Sequence, residues 1–319
     1  MHPWPSACHV LIVRKVYGGR EIIKARIVIR LGVAQLIPGG NGRSLQTSTP
    51  VKICPLCGEP SAYDEINDFY YCNHCDQFVQ WIPDSYSMMV SGPAGAGKTP
   101  IVNYWLEFYL RNRRPVILLA FDDFPSNVRE PLGAYCHGQL QEYERSGLAT
   151  IVDCYASIAG VPSQEKHSLK NRTDLNELNL LATDLLNEKA SLGSPKLVVD
   201  SVTPLFTYKD PQIVVQFLAG MAVKTKAKKG AFVMTLTTGT INDEVFRRLE
   251  TLMDFATEMR FVEVEGRKKR QVRVAKARGL RVYEDWIPIY IGKEAISIDV
   301  GDDPAKYERL KKAFYGTPS

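Results

Sequence analysis

The sequence predicts an α/β protein: a mostly parallel sheet flanked by helices on both faces, C-terminal β-hairpins, and a small cysteine-bearing module ahead of it. Three observations predict this. Short apolar runs alternate with amphipathic stretches from residue 86 to about residue 240. The glycine-rich segment SGPAGAGKT, residues 91–99, sits between the first apolar run and the first stretch of helical period. Two C-x2-C pairs precede that body. The 319 residues suit one sizeable α/β domain plus an appendage, and 45% hydrophobic with 24% charged residues is ordinary globular material.

Residues 1–48 form a basic extension. They hold Arg14, Lys15, Arg20, Lys24, Arg26, Arg30 and Arg43 against Glu21 alone, so this segment accounts for the whole-chain net charge of +5. The rest is near neutral, unlike a surface built throughout for nucleic acid. Val- and Ile-rich runs on either side of Gly18-Gly19 read as a hairpin. Residues 38–50, PGGNGRSLQTSTP, read as a linker. The segment is either a small basic arm for nucleic acid or an acidic partner, or a loosely packed extension. Its positive charges follow the first apolar stretch instead of preceding it, and no apolar run approaches the roughly 20 residues of a membrane span. The expectation is a cytoplasmic protein with no membrane partner.

Residues 49–82 carry Cys54-Pro-Leu-Cys57 and Cys72-Asn-His-Cys75. Each pair can offer two thiolates along one edge of a tetrahedron, and the residues between them are long enough for a hairpin that joins the edges. This spacing points to a zinc ribbon with Cys54, Cys57, Cys72 and Cys75 as ligands to Zn²⁺. The module is too short to build a core, so the metal would supply its folding energy. Cys8, Cys136 and Cys154 stand apart and are expected to be buried or incidental.

Residues 83–319 form the main domain. Residues 86–90 read as a buried strand and residues 101–111 as a helix. Between them Gly92, Pro93, Ala94, Gly95, Ala96, Gly97, Lys98 and Thr99 complete the G-x4-G-K-T phosphate-loop pattern. Small residues let backbone N–H groups converge on a phosphate, aided by the helix N-terminus. Lys98 reaches the β- and γ-phosphates of ATP, and the Thr99 hydroxyl takes a place on Mg²⁺. Pro100 stands in the first turn, where it breaks no helical bond but removes a donor that could face the nucleotide.

Residues 115–121 read as a strand ending in Asp122-Asp123, beside the phosphate loop, where a carboxylate can polarise an attacking water. One or two helices over residues 127–144, a strand over 149–154, a polar loop and an amphipathic helix over 173–190 follow. The run KLVVDS then places Asp200, with Ser201, at the end of a further strand, as a second holder of Mg²⁺. A strand over 231–236 ends in Thr237-Thr238-Gly239-Thr240, at the position of a γ-phosphate sensor. Residues 258–264 and 271–275 read as a hairpin with the basic tetrad Arg267-Lys268-Lys269-Arg270 at its solvated tip, and Lys224, Lys226, Lys228 and Lys229 as the wet end of a helix.

From about residue 84 to residue 300 the chain resembles the KaiC-like ATPases of the RecA superfamily. The stretches that carry the resemblance are GPAGAGKT, AFDDFPSNVRE, YERSGLATIVD, DLNEL, KLVVDSVTPLF, LMDFATEMR and VRVAKARG, in that order. With a zinc ribbon upstream the combination is archaeal in style. The resemblance implies a RecA-like core and ATP bound between subunits of a homo-oligomeric ring, often a hexamer. It also implies that Lys276 and Arg278 form the K-x-R pair that reaches the neighbour's γ-phosphate. Where the family carries two glutamates, this chain has Asp122 and Asp123, one methylene shorter. Slow, switch-like hydrolysis with a protein partner is therefore expected. The alternatives are a recombinase-like ATPase acting on DNA, and a module that binds ATP only to assemble.

Overall fold

The computed structural model describes residues 85–278, 285–293 and 296 in full, together with the backbone of the remaining strands named here. The chain divides into two units, residues 84–297 and the rest. In the N-terminal part, β1 (Val10–Tyr17) pairs antiparallel with β2 (Arg20–Ile27), Tyr17 opposite Arg20. Strands β3 (Lys52–Ile53), β4 (Pro60–Asp64), β5 (Phe69–Cys72) and β6 (Gln77–Val79) follow as an antiparallel sheet in that order. The zinc ribbon is not tested by this sheet, because the side chains of Cys54, Cys57, Cys72 and Cys75 lie outside the described residues.

The main unit runs β7 (Tyr86–Gly92), α1 (Lys98–Arg111), β8 (Val116–Ala120), α2 (Pro125–Tyr135), α3 (Leu140–Arg145), β9 (Ala149–Asp153), α4 (Leu175–Ala190) and β10 (Lys196–Asp200). Then come α5 (Thr203–Tyr208), α6 (Pro211–Ala227), β11 (Ala231–Thr237), α7 (Asp243–Leu252), β12 (Phe255–Val264), β13 (Arg267–Ala277), β14 (Ile287–Ile291) and β15 (Ile296–Ile298). The sheet order is β15-β14-β13-β12-β7-β11-β10-β8-β9. From β12 to β9 every neighbouring pair is parallel, and β13 and β14 add antiparallel edges.

This order corrects one expectation. The strand ending before Asp122 does not lie beside the phosphate loop: β7 is flanked by β11 and β12, and β8 lies beyond β10. Each parallel partner must be reached by a helical crossover, so sequence neighbours need not be sheet neighbours. The register still aligns Asp200 with Ala120, so the carboxyl ends of β10 and β8 meet at the same edge.

Along the central strands alternate residues serve opposite faces. Met89, Ile117, Leu119, Leu197, Val199, Phe232 and Met234 pack with residues of α4, α6 and α7, including Leu178, Leu185, Leu218 and Leu249. The intervening Met88, Val90, Leu118, Val198 and Val233 are equally buried and face the layer of α1 and α2. Local chemistry fixes the helix starts. Asp174 accepts from the N–H groups of Asn176 and Glu177 at the head of α4, and Asp210 does the same for Gln212 and Ile213 before Pro211 at the start of α6.

The basic tetrad is not a hairpin tip. The turn is Glu265-Gly266, and Arg267 to Arg270 are the first residues of β13. Lys268 stands opposite Glu263 with its ammonium 4.1 Å from the Phe261 ring centroid, so cross-strand pairing and cation–π contact hold the tetrad in the strand. Among the described residues no helix is long and apolar enough to cross a membrane. Cys136 and Cys154 are buried free thiols, and burial pushes Cys136 up to about 12, which leaves it inert.

Candidate nucleotide site

β7 delivers Gly92 to the carboxyl edge of the sheet, where the loop closes on itself and opens α1 at Gly97. Gly95 and Gly97 take φ of 75° and 105°, the left-handed region that a β-carbon disfavours. The Ala96 N–H bonds the Pro93 carbonyl at 3.1 Å and the Thr238 N–H bonds the Gly92 carbonyl at 3.0 Å. The run Thr237-Thr238 therefore lies directly against the loop, with Thr237 paired to Gly92.

Lys98 folds back over this turn. Its Nζ donates to the carbonyls of Gly92 at 2.9 Å and Pro93 at 3.1 Å. Burial lowers its pKa, while the charges of Asp200 and Asp122 act in the opposite direction. Asp200 Oδ1 accepts from Thr235 Oγ1 at 2.5 Å, and its carboxylate also accepts from the Thr99 side chain. Burial raises the Asp200 pKa against the effect of those donors. The Asp200–Ser201 peptide is cis. The hydroxyls of Ser201 and Ser91 are buried without a hydrogen-bond partner among the described residues.

The two aspartates at the end of β8 part company. Asp123 Oδ1 accepts from the Phe124 N–H at 2.7 Å and from Asn127 Nδ2 at 2.8 Å, which ties it to the head of α2. Asp122 is exposed and its charge acts on both Lys98 and Asp200. Lys276 and Arg278 are elsewhere. Lys276 pairs with Ala256, which stands beside Met89 in the middle of β7, and its Nζ donates to the carbonyls of Glu250 and Thr251 at 2.9 and 2.8 Å. Arg278 follows the end of β13 and bonds Asp254, at the opposite end of the sheet from Gly92.

The far side of the loop has a cover that sequence reasoning missed. A β-carbon on Gly92 would stand 2.8 Å from the Met259 carbonyl oxygen, and one on Gly97 would stand 2.0 Å from Ile291 Cδ1. Arg270 Nε donates to the Gly95 carbonyl at 3.3 Å. Met259, Ile291 and Arg270 come from β12, β14 and β13, and nothing in the local pattern of those strands signals a loop almost two hundred residues earlier. Thr235, the donor to Asp200, was likewise hidden within an apolar run.

The donor set suits a nucleotide triphosphate with Mg²⁺. The loop has no β-carbon at Gly92, Gly95 and Gly97, Lys98 carries its charge to the loop, Thr99 and Asp200 are joined, and two buried hydroxyls have no partner among the described residues. A strand–loop–helix phosphate site, with an aspartate on the strand two places along the sheet, defines a P-loop nucleotide-binding protein of RecA-like fold. A family model described as "ATPase: KaiC" matches residues 71–302. The chain belongs to this KaiC ATPase family.

Among its relatives, a UPF0273 protein of Methanopyrus kandleri is 26% identical over 221 residues, covering 68% of this chain and 85% of the relative. The circadian clock oscillator protein KaiC of Parathermosynechococcus lividus is 24% identical over 226 residues, covering 70% of this chain but only 38% of that protein. The crystal structure of a KaiC-like protein from the hyperthermophilic archaeon Pyrococcus horikoshii OT3 shares the fold, with a TM-score of 0.52, 14% identity, and coverage of 68% of this chain and 91% of that one.

Proposed function

We propose that this protein is a slow ATPase that works as a nucleotide-dependent assembly switch. The observation that carries the reading is the separation of the two halves of the machinery. Arg278 is level with Ser87, five residues before Gly92, which is about 17 Å of strand. An arginine side chain cannot span that distance to its own chain's phosphate loop. In a ring of copies, Lys276 and Arg278 of one subunit meet the γ-phosphate held by the next.

The residues then divide the work. The loop N–H groups and Lys98 hold the phosphates, and Lys98 exchanges its loop carbonyls for phosphate oxygens. Thr99 and Asp200 hold Mg²⁺, which when bound neutralises phosphate charge. Asp122 accepts the proton of the attacking water, while Asp123 keeps its bonds to α2. The charges of Lys276 and Arg278 stabilise the charge shifted toward the leaving oxygen. Aspartate in place of glutamate draws the carboxylate back by one methylene, so Asp122 takes the proton in only a fraction of encounters and turnover is slow. Because the γ-phosphate touches both subunits, its loss loosens the interface.

Cys54, Cys57, Cys72 and Cys75 bind Zn²⁺ in the ribbon, which offers a surface to a protein partner. The antiparallel pairing of β4 with β5 between the two cysteine pairs supports this reading. A stoichiometric zinc content by elemental analysis, lost in Cys72→Ser, is the expected result.

Phosphate release with ATP-Mg²⁺, alone and with single- or double-stranded DNA, tests the function, with Lys98→Ala as the blank. Slow release indifferent to DNA, together with ATP-driven growth in sedimentation, is expected. Strong stimulation by DNA overturns the switch in favour of a recombinase-like role, and assembly without any release favours a module that only binds ATP.

A further inference from the structure

Asp254 immediately precedes β12, and β7, α6 and the residue after β13 converge on it. Its Oδ2 accepts from the Ser87 N–H at 3.0 Å, from Ser87 Oγ at 2.9 Å and from Lys226 Nζ at 2.6 Å. Its own N–H donates back to Ser87 Oγ at 3.1 Å. One carboxylate oxygen is thus saturated by the start of β7 and the last turn of α6. The other, Oδ1, forms an ion pair with Arg278 Nη1 at 3.1 Å, and the Asp254 carbonyl accepts from the Arg278 N–H at 2.9 Å. The carboxylate is almost fully enclosed, at 9% exposure, while the Arg278 side chain is 66% exposed.

We propose that Asp254 is a positioning residue, which presents Arg278 as a fixed cation to the phosphate held by a neighbouring copy of this chain. The inference rests on the switch reading above and deepens it. A free arginine at a chain turn samples many rotamers, and each encounter with a phosphate would have to order it. Asp254 restricts that freedom at both ends: its carbonyl holds the backbone N–H and its Oδ1 pairs with Nη1 of the guanidinium. The remaining N–H donors of the planar fork stay outward for a second anion. A carboxylate anchored by three donors cannot swing to follow the arginine, so the orientation is preset. Lys276, by contrast, is held by the carbonyls at the end of α7 and makes no hydrogen bond to Asp254, whose charge reaches it only at a distance.

The alternative role for Asp254 is purely structural, as a staple between β7, α6 and β12. A double-mutant cycle separates the two. Phosphate release and the protein concentration for half-assembly with ATP are measured on the full chain for wild type, Asp254→Asn, Arg278→Ala and the double variant. Binding of a fluorescent ATP analogue reports the phosphate loop.

Arg278→Ala is expected to lower kcat about a hundredfold or more, and Asp254→Asn about tenfold, with nucleotide affinity within about twofold of wild type. The double variant should match Arg278→Ala alone, because the aspartate acts only through the arginine. Multiplying effects of the two substitutions, or a wild-type kcat in Asp254→Asn, overturns the proposal. Should Arg278→Ala itself turn over and assemble like wild type, the trans role of Arg278 falls first and this inference with it. If Asp254→Asn melts below the assay temperature, Arg278→Lys takes its place, since that position is exposed. A low kcat despite the retained charge is expected, and a wild-type kcat there overturns the presented-fork argument.

Discussion

At the residue scale, the site holds two charges that the fold disfavours. Burial raises Asp200 and lowers Lys98. A raised carboxylate stabilises the folded state below its ordinary value of 3.8 and loses that contribution as pH rises through its folded value. A lowered lysine contributes above 10.5 and loses its share as pH falls through its folded value. Across neutral pH, above 3.8 and below 10.5, the titration of both groups therefore works against folding. Asp200→Asn should accordingly leave the nucleotide-free melting temperature equal or higher, while abolishing the rise that ATP-Mg²⁺ gives wild type; thermal scans with and without nucleotide check both halves. Pro100, in the first turn of α1, removes a donor near the nucleotide. Pro100→Ala should tighten ATP binding by a few-fold, and an unchanged dissociation constant would discard the idea.

At the element scale, the loop is held between its own helix and the strands added at the sheet edge. Gly97 takes φ 105° with Ile291 against it, so Gly97→Ala has two separate faults. The left-handed backbone costs about 1–2 kcal/mol for a residue with a β-carbon, and the overlap with Ile291 adds to it. Pairing Gly97→Ala with Ile291→Ala should restore only the packing part of the stability loss, measured by denaturant titration. Asp254 joins elements at the other end. Burial works against its charge, but the donors from Lys226 and Ser87 win and lower its pKa. Its contribution is therefore present above 3.8 and lost as pH falls through the folded value. Asp254→Asn should flatten the acid limb of the stability profile below that pH, followed by circular dichroism.

At the scale of the whole molecule, Arg278 lies at the end of the sheet opposite the phosphate loop, and in the ring proposed above each copy supplies half a site on either side. ATP-Mg²⁺ should shift the sedimentation profile to larger species, and Lys98→Ala should abolish the shift. An equimolar mixture of Lys98→Ala with Arg278→Ala chains should recover part of the turnover each lacks, since one interface in such a mixture is intact. No recovery would argue against a shared site.

The sequence by itself determined the strand–loop–helix phosphate site, the aspartate ending β10, the alternation of strand and helix, and the family. These are local patterns, in which neighbouring residues must satisfy one backbone geometry or one periodicity. It also placed Asp122 with Asp123 but had no means to separate them, since both follow the same strand. Tertiary structure decided that Asp123 bonds the head of α2 while the Asp122 charge acts on Lys98 and Asp200, that β11 and β12 and not β8 flank β7, and that Arg270 and Ile291 cover the loop. It drew the tetrad into β13 and joined Arg278 to Asp254. Each of these is a contact between segments far apart in the chain, fixed by sheet order and register, and no periodicity in one segment encodes which partner it will meet.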